Sequence, residues 1–129
     1  MSASRVALVT GASRGLGREI AVALASSAGA VLVHYFRNRR GAEATARAVR
    51  RAGAESDVLQ ADITVEKEAR GLIAAVEKGR GRLDILVNNV GPILFRPWDE
   101  LTAADWESMF RQNLLGAYFC LSEALPGMR

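Results

Sequence analysis

Four short apolar runs alternate along the chain with longer stretches of helical periodicity, and this alternation narrows the possible folds more than any other feature. The runs are Arg5 to Thr10, Ala30 to Phe36, Ser56 to Gln60 and Leu83 to Asn88. Val6 to Val9 carries no polar position and reads as a strand buried on both faces, Ala30 to Phe36 as a second buried strand rich in Val and aromatics, Ser56 to Gln60 as a third, shorter strand and Leu83 to Asn88 as the fourth. Between them, Gly15 to Ala28 places Leu16, Ile20, Ala23 and Leu24 at helical spacing, Arg40 to Ala52 is an Ala/Arg helix, and Thr64 to Lys78 is a third helix. A last helix is expected from Thr102 towards Leu125. Strand, helix, strand in this rhythm implies an α/β protein: parallel strands, right-handed crossovers and helices on both faces of one sheet.

The punctuation supports these boundaries. Gly29, Gly53, Gly79 and Gly81 follow the first three helices, and Pro126-Gly127 should end the last. Thr102 reads as an N-cap with Asp105 in the first turn, and Thr64 as an N-cap with Lys67 three residues on. Asn89 to Glu100 holds Gly91, Pro92 and Pro97 and is expected to be loop. No repeat, low-complexity tract or linker divides residues 1–129, which are expected to form one domain. Half of the residues are apolar and the net charge is only +3, which excludes a disordered chain. Met1 to Arg5 offers no apolar leader, and the most apolar stretch, Ile20 to Phe36, is broken by Ser26, Ser27, Gly29 and His34, so no membrane span is expected. Lone Cys120 cannot form an internal disulfide, which points to a reducing, cytoplasmic setting.

Between the first strand and first helix stands Thr10-Gly11-Ala12-Ser13-Arg14-Gly15-Leu16-Gly17. Gly11 can take a backbone conformation closed to other residues, Gly15 lets the main chain approach a ligand, and Gly17 lets the helix lie close on the sheet. The unpaired amides at the start of the helix then favour a phosphate.

With this turn in place the chain resembles the ordinary branch of the short-chain dehydrogenase/reductase family, whose TGxxxGxG fingerprint it matches. Asp62-Ile63 follows the third strand, Asn88-Asn89-Val90-Gly91 matches the family's NNAG except at Val90, and Asn113 falls in Gln112-Asn113-Leu114-Leu115-Gly116. The resemblance covers nearly the whole chain. Within the family, 3-oxoacyl-carrier-protein reductases and pteridine-reductase-like members are the most similar, the latter through Val33-His34-Tyr35. It implies a Rossmann-type, doubly wound sheet cut off after four βα units, in strand order 3-2-1-4. It assigns Gly11, Ser13, Arg14, Gly15, Leu16 and Gly17 to the cofactor from the turn, Tyr35, Arg37 and Asn38 from the end of the second strand, Asp62 and Ile63 from the third, and Asn89, Val90 and Gly91 from the fourth. Asn113 is the implied catalytic residue.

The end of the second strand reads His34-Tyr35-Phe36-Arg37-Asn38-Arg39-Arg40. An NAD site usually carries a carboxylate there to bind the ribose 2′-hydroxyl, whereas a 2′-phosphate is held by Arg. Arg14 reaches the same corner, so the expected cofactor is NADP(H), selected by Arg14 and Arg37 and then Asn38. Arg47, Arg50 and Arg51 lie further along the helix and read as solvated. With no aromatic platform or reading helix beside the Arg cluster, nucleic acid is not an expected partner.

In the family a Tyr exchanges a proton with the substrate oxygen, aided by a Lys four residues later and an upstream Ser. An unperturbed Tyr titrates near 10 and needs that cation to work near neutrality. Tyr35 and Tyr118 are followed four residues on by Arg39 and Ser122, so neither fits, and the family's catalytic segment would lie beyond Arg129. The chain is therefore expected to be the cofactor-binding portion of an NADP-dependent oxidoreductase acting on a small-molecule carbonyl or alcohol, and to be inactive alone. The alternative is a non-catalytic dinucleotide-binding module working through a partner chain.

Trp106, Met109, Phe110, Leu114, Leu115, Tyr118, Phe119 and Leu121 leave the last helix few polar faces. The expected remedy is a homo-oligomer or pairing with the absent C-terminal half. His34 reads as a core or corner histidine, Cys120 as a buried small hydrophobe, and Trp98 and Trp106 as packing residues. Asp62 has two readings, the adenine contact and a partner of the Thr64 helix start.

Overall fold

The computed structural model describes residues 5–129; the leaderless reading of Met1 to Ser4 lies outside the described residues. The element order is β1 (Val6–Val9), α1 (Gly15–Leu24), β2 (Ala30–Tyr35), α2 (Arg39–Arg51), β3 (Val58–Gln60), α3 (Glu66–Arg80), β4 (Ile85–Val87), a 3-10 turn (Trp98–Glu100), α4 (Ala103–Phe110), a π-helical turn (Arg111–Leu115) and α5 (Gly116–Met128). The four strands form one parallel sheet in the order β3-β2-β1-β4, as the Rossmann-type expectation required. Val6 to Val9 pair in register with Ala30 to Val33 on one side, and Ala7 to Val9 pair with Ile85 to Val87 on the other.

Strand side chains alternate between faces, so a strand with no polar position must bury both. Here Val6, Leu8, Ala30 and Leu32 pack against Ala69, Leu72, Ile73 and Val76 of α3 and Phe119, Cys120 and Ala124 of α5. Ala7, Val9, Val31 and Val33 pack against Ala21 of α1 and Ala42, Ala46 and Val49 of α2. The second layer is built largely of alanines, so α1 and α2 lie close to the sheet. Leu8 and Ile73 are fully buried, each worth about 2–3 kcal/mol in surface removed from water.

Several boundaries differ from the expectations: β3 begins only at Val58, β4 is confined to Ile85–Val87, and α3 runs through Gly79 to Arg80 with Gly81 as its left-handed cap. Thr64 does not cap α3: its amide (3.0 Å) and hydroxyl (2.6 Å) both donate to Asp62 Oδ1, and α3 starts at Glu66 after an uncapped Val65. The nearer carboxylate competes successfully for the threonine. α1 ends at Leu24, followed by a turn that reaches the expected stop at Gly29. α5 runs through Pro126 to Met128. A proline in the last turn forfeits only one helical hydrogen bond there.

The Thr102 reading is met in full. Its hydroxyl accepts from the Asp105 amide (3.1 Å) while Asp105 Oδ2 accepts from the Thr102 amide (3.0 Å), a reciprocal capping box. Cys120 is buried and unpaired, and desolvation pushes its thiol up to about 11. No helix among the described residues is long and apolar enough to cross a membrane.

Candidate functional site

At the carboxyl ends of the strands lies a cleft of about 860 Å³, the position at which open parallel sheets present ligand sites. One wall is the turn between β1 and α1. Gly11 adopts φ +61° and Gly15 φ +58°, values that favour glycine. A side chain on Gly15 would meet nothing, so the turn is open there to an incoming group. A Cβ on Gly17, by contrast, would collide with the Gly11 carbonyl and lie 2.6 Å from Asn89 Nδ2. Gly17 thus serves close packing of the turn on itself and on the loop after β4, more than packing on the sheet. The first α1 amides have no acceptor within the helix, and no acidic side chain occupies the first turn.

Thr10 and Asn89 join this wall to the loop after β4. Thr10 is fully buried; its hydroxyl donates to the Val87 carbonyl (3.3 Å) and accepts from the amides of Asn89 (3.0 Å) and Val90 (3.3 Å). Asn89 Nδ2 donates to the Gly11 carbonyl at 3.0 Å. Arg18 joins the turn to α2: Nη2 donates to the carbonyls of Ser13 (2.7 Å) and Gly41 (3.1 Å), and Nε to Thr45 Oγ1 (2.9 Å).

Gly11, Ser13, Arg14, Tyr35, Arg37, Asn38, Asp62, Ile63, Asn89, Val90 and Gly91 all line the cleft. Gly15, Leu16 and Gly17 do not: Gly15 and Leu16 stand exposed at the helix start, and Gly17 is buried behind it. Arg14 and Arg37 both line the cleft and are exposed, and neither makes an ion pair among the described residues. Arg37 lies over the Phe36 ring, 4.9 Å from its centroid. No carboxylate from the end of β2 lines the cleft. Asn38 is the N-cap of α2, its Oδ1 accepting from the Gly41 amide at 3.0 Å, which leaves its Nδ2 for another partner. Tyr35 packs into the α1/α2 layer, and its hydroxyl accepts from Arg39 at 3.3 Å.

Asn113 stands apart from the cleft lining. It sits in the π-helical turn, where its Nδ2 donates to the carbonyls of Met109 (3.0 Å) and Pro92 (3.2 Å) and so holds the loop after β4 against the helix. A Cβ on Gly91 would come within 2.6 Å of Asn113 Oδ1, so this approach requires glycine. A π turn frequently marks a functional position, because it displaces a carbonyl from the helical ladder.

The sequence reading missed His34, Ser108, Arg111 and Gln112 as cleft residues, and Arg18 as a brace. His34 is 1% exposed, and its bonds span 23 and 27 residues of sequence, so no local pattern betrays them. Burial holds its pKa below the ordinary value, against the opposing pull of the Ala61 carbonyl and the Asp62 charge.

A family model described as short chain dehydrogenase matches residues 5–129. An uncharacterised oxidoreductase of Methylorubrum extorquens is 41% identical over 93% of this chain and 48% of its own. A 3-oxoacyl-[acyl-carrier-protein] reductase of Staphylococcus aureus is 35% identical over 99% of this chain and 52% of its own. The chain thus spans about half the length of the curated relatives it matches. Among solved structures, a Sinorhizobium meliloti dehydrogenase/reductase superposes with a TM-score of 0.92 at 29% identity, over 99% of this chain and 53% of that one. A Burkholderia cenocepacia protein assigned as a dehydrogenase, solved with NADP bound, superposes at 0.87 with 38% identity, over 93% and 46%.

Proposed function

The chain belongs to the short-chain dehydrogenase family, and on that premise we propose that it forms the adenosine-diphosphate half of an NADP(H) site in an oxidoreductase acting on a small carbonyl or alcohol substrate. The observation that carries this reading is that Arg14 and Arg37 both line the cleft and no carboxylate from the end of β2 does. Two guanidinium groups suit a 2′-phosphate of charge near −2, and a carboxylate there would repel it.

The residues fit the nucleotide. The open Gly15 turn and the α1 amides would take the diphosphate bridge. Asp62 and Ile63 would face the adenine, and Asn89 to Gly91 would flank the adjoining ribose. When bound, the nicotinamide supplies a hydride to a carbonyl carbon or accepts one from an alcohol. This chain's residues position and charge-match the other half of the cofactor. In the family a Tyr followed four residues on by a Lys exchanges the proton; Tyr35 and Tyr118 are followed at that spacing by Arg39 and Ser122, so neither takes that role in this reading.

Trp106, Phe110, Leu114, Tyr118, Leu121 and Leu125 are exposed apolar residues at three- and four-residue spacing along α4, the π turn and α5, and Ile93 and Phe95 of the preceding loop are exposed as well. Exposed apolar surface of this kind supports burial against a second copy of the chain. The buried, unpaired thiol of Cys120 suits a reducing, cytoplasmic compartment.

Calorimetry with NADPH and NADH tests the cofactor reading. Tighter binding of NADPH, lost in Arg37→Ala, is expected. Equal affinity for the two, or an unchanged preference in Arg37→Ala, would overturn it.

A further inference from the structure

The cleft has two walls, the glycine turn after β1 and the segment Ala61 to Ile63 after β3, and each is tied to the end of β2 by one backbone bond, from the Ala12 amide to the His34 carbonyl (3.0 Å) and from the Ala61 amide to the Tyr35 carbonyl (3.1 Å). One side chain bonds to both. His34 Nδ1 lies 3.0 Å from the Gly11 amide, and Nε2 lies 2.8 Å from the Ala61 carbonyl. An amide only donates and a carbonyl only accepts, so the ring must be neutral with its proton on Nε2. Gly11 opens the turn at φ +61°, and Ala61 immediately precedes the cleft residues Asp62 and Ile63.

We propose that His34 is the positioning residue of the nucleotide site, a single neutral imidazole that sets the glycine turn against the adenine wall and makes nucleotide affinity fall when the ring takes up a proton. The proposal rests on the nucleotide reading above. A protonated ring presents a second N–H at Nδ1, directed at the Gly11 N–H, donor against donor. The turn must then leave the geometry that aims its amides at a diphosphate. Nucleotide binding and protonation of His34 therefore oppose one another.

The surroundings favour the neutral ring. It is enclosed in the sheet, and burial disfavours its charged form. Asp62, from the segment after β3, pulls in the other direction. Arg14, Arg37 and Arg111 line the same cleft from the turn, from the end of β2 and from the π turn. Thr10 and Asn89, from the turn after β1 and the loop after β4, carry no charge.

Two substitutions separate the two bonds. The oxygen of Asn in His34→Asn falls near the place of Nδ1 and can still accept from Gly11, but it does not titrate. His34→Gln puts an amide nitrogen near the place of Nε2 and leaves the Gly11 amide without an acceptor. Dissociation constants for NAD⁺ and NADP⁺ are measured by calorimetry from about pH 5 to 8, the range over which imidazoles titrate. NAD⁺ is included because it lacks the 2′-phosphate, which titrates in the same range.

The unsubstituted protein should lose affinity for both nucleotides as the pH falls. His34→Asn should bind within a few-fold at neutral pH and show a flat NAD⁺ profile. His34→Gln should bind roughly tenfold or more weakly throughout, the cost of one stranded buried donor. In parallel, ¹⁵N NMR of the unliganded, unsubstituted protein should show Nε2 protonated and Nδ1 bare. The opposite tautomer, or a His34→Asn profile that titrates like the unsubstituted protein, would overturn the proposal. So would undiminished affinity in His34→Gln. Failure of the unsubstituted protein to bind either nucleotide would overturn the nucleotide reading and this proposal with it, whereas binding without a His34 effect removes only the latter.

Discussion

Arg18 Nη2 donates to the carbonyl of Ser13 at 2.7 Å, binding the first turn of α1 back onto the glycine turn that precedes it. The same nitrogen reaches the Gly41 carbonyl and Nε reaches Thr45, so one guanidinium holds the turn to the start of α2. Arg14 and Arg37 stand on the two segments so joined. Arg18→Ala should therefore act at a distance from the ligand. The loss of three hydrogen bonds from a half-buried charged donor should cost about 2–4 kcal/mol in urea unfolding. It should also reduce the preference for NADPH over NADH, because the spacing of the two cations is no longer held. Arg18→Lys carries the charge without the fork and should recover only part of both.

Gly41 is a helical glycine at which alanine would ordinarily stabilise by about 1 kcal/mol. Here a Cβ would press into both the Asn38 side chain and the Ser13 carbonyl. Gly41→Ala should reverse the usual sign and destabilise by about 1–3 kcal/mol, the ordinary cost of overpacking. Gly71 also lies within a helix, and a Cβ there would meet nothing within 4 Å. Gly71→Ala should show the ordinary gain, and comparing the two melting temperatures separates local crowding from general helix propensity.

Thr10→Val preserves shape and removes only the hydroxyl. That oxygen is the side-chain acceptor for the amides of Asn89 and Val90, in a place with no exposure to water. The substitution should cost about 2–4 kcal/mol, since stranded donors lose their full hydration. Hydrogen exchange at Asn89 and Val90 should quicken more than exchange at Val31 or Leu32. Uniform quickening across the sheet would count against this local account.

The layered sheet was legible because its signal is local and repeated. Val6, Ala7, Leu8 and Val9 admit no polar face, and their division between two helix layers follows from strand periodicity alone. The glycine turn and the Asn89 segment were legible because each motif sits where a strand ends. What escaped notice depended on pairings far apart in sequence. Arg18 looks like any exposed helical arginine until Thr45 is beside it, and His34 looks like a core histidine until Gly11 and Ala61 are found at its two nitrogens. Local competition hid the rest: Thr64 has the chemistry of an N-cap, but Asp62 two residues earlier takes its hydroxyl and amide. The π turn at Asn113 leaves no mark in hydropathy, because Trp106 to Leu121 reads as one apolar helix on either spacing.

The buried ring of His34 also ties the stability of the fold to pH. Its pKa in the folded state lies below 6.5, chiefly through burial, while the unfolded chain titrates near the ordinary value. Above both values the ring is neutral in either state and contributes no pH dependence. As the pH drops through about 6.5, the unfolded chain binds a proton that the folded chain refuses, so stability falls. The decline continues until the folded-state pKa is reached and then levels. Urea midpoints measured across this range should decrease with acidification. In His34→Asn, which has nothing to titrate there, this part of the slope should vanish and leave the contribution of carboxylates such as Asp84, whose pKa is held low by its bonds to Arg82 and the Val6 amide. That contribution belongs at lower pH, because a depressed carboxylate pKa removes stability only as the carboxylate protonates. An unaltered slope near pH 6 in His34→Asn would assign the acid sensitivity elsewhere.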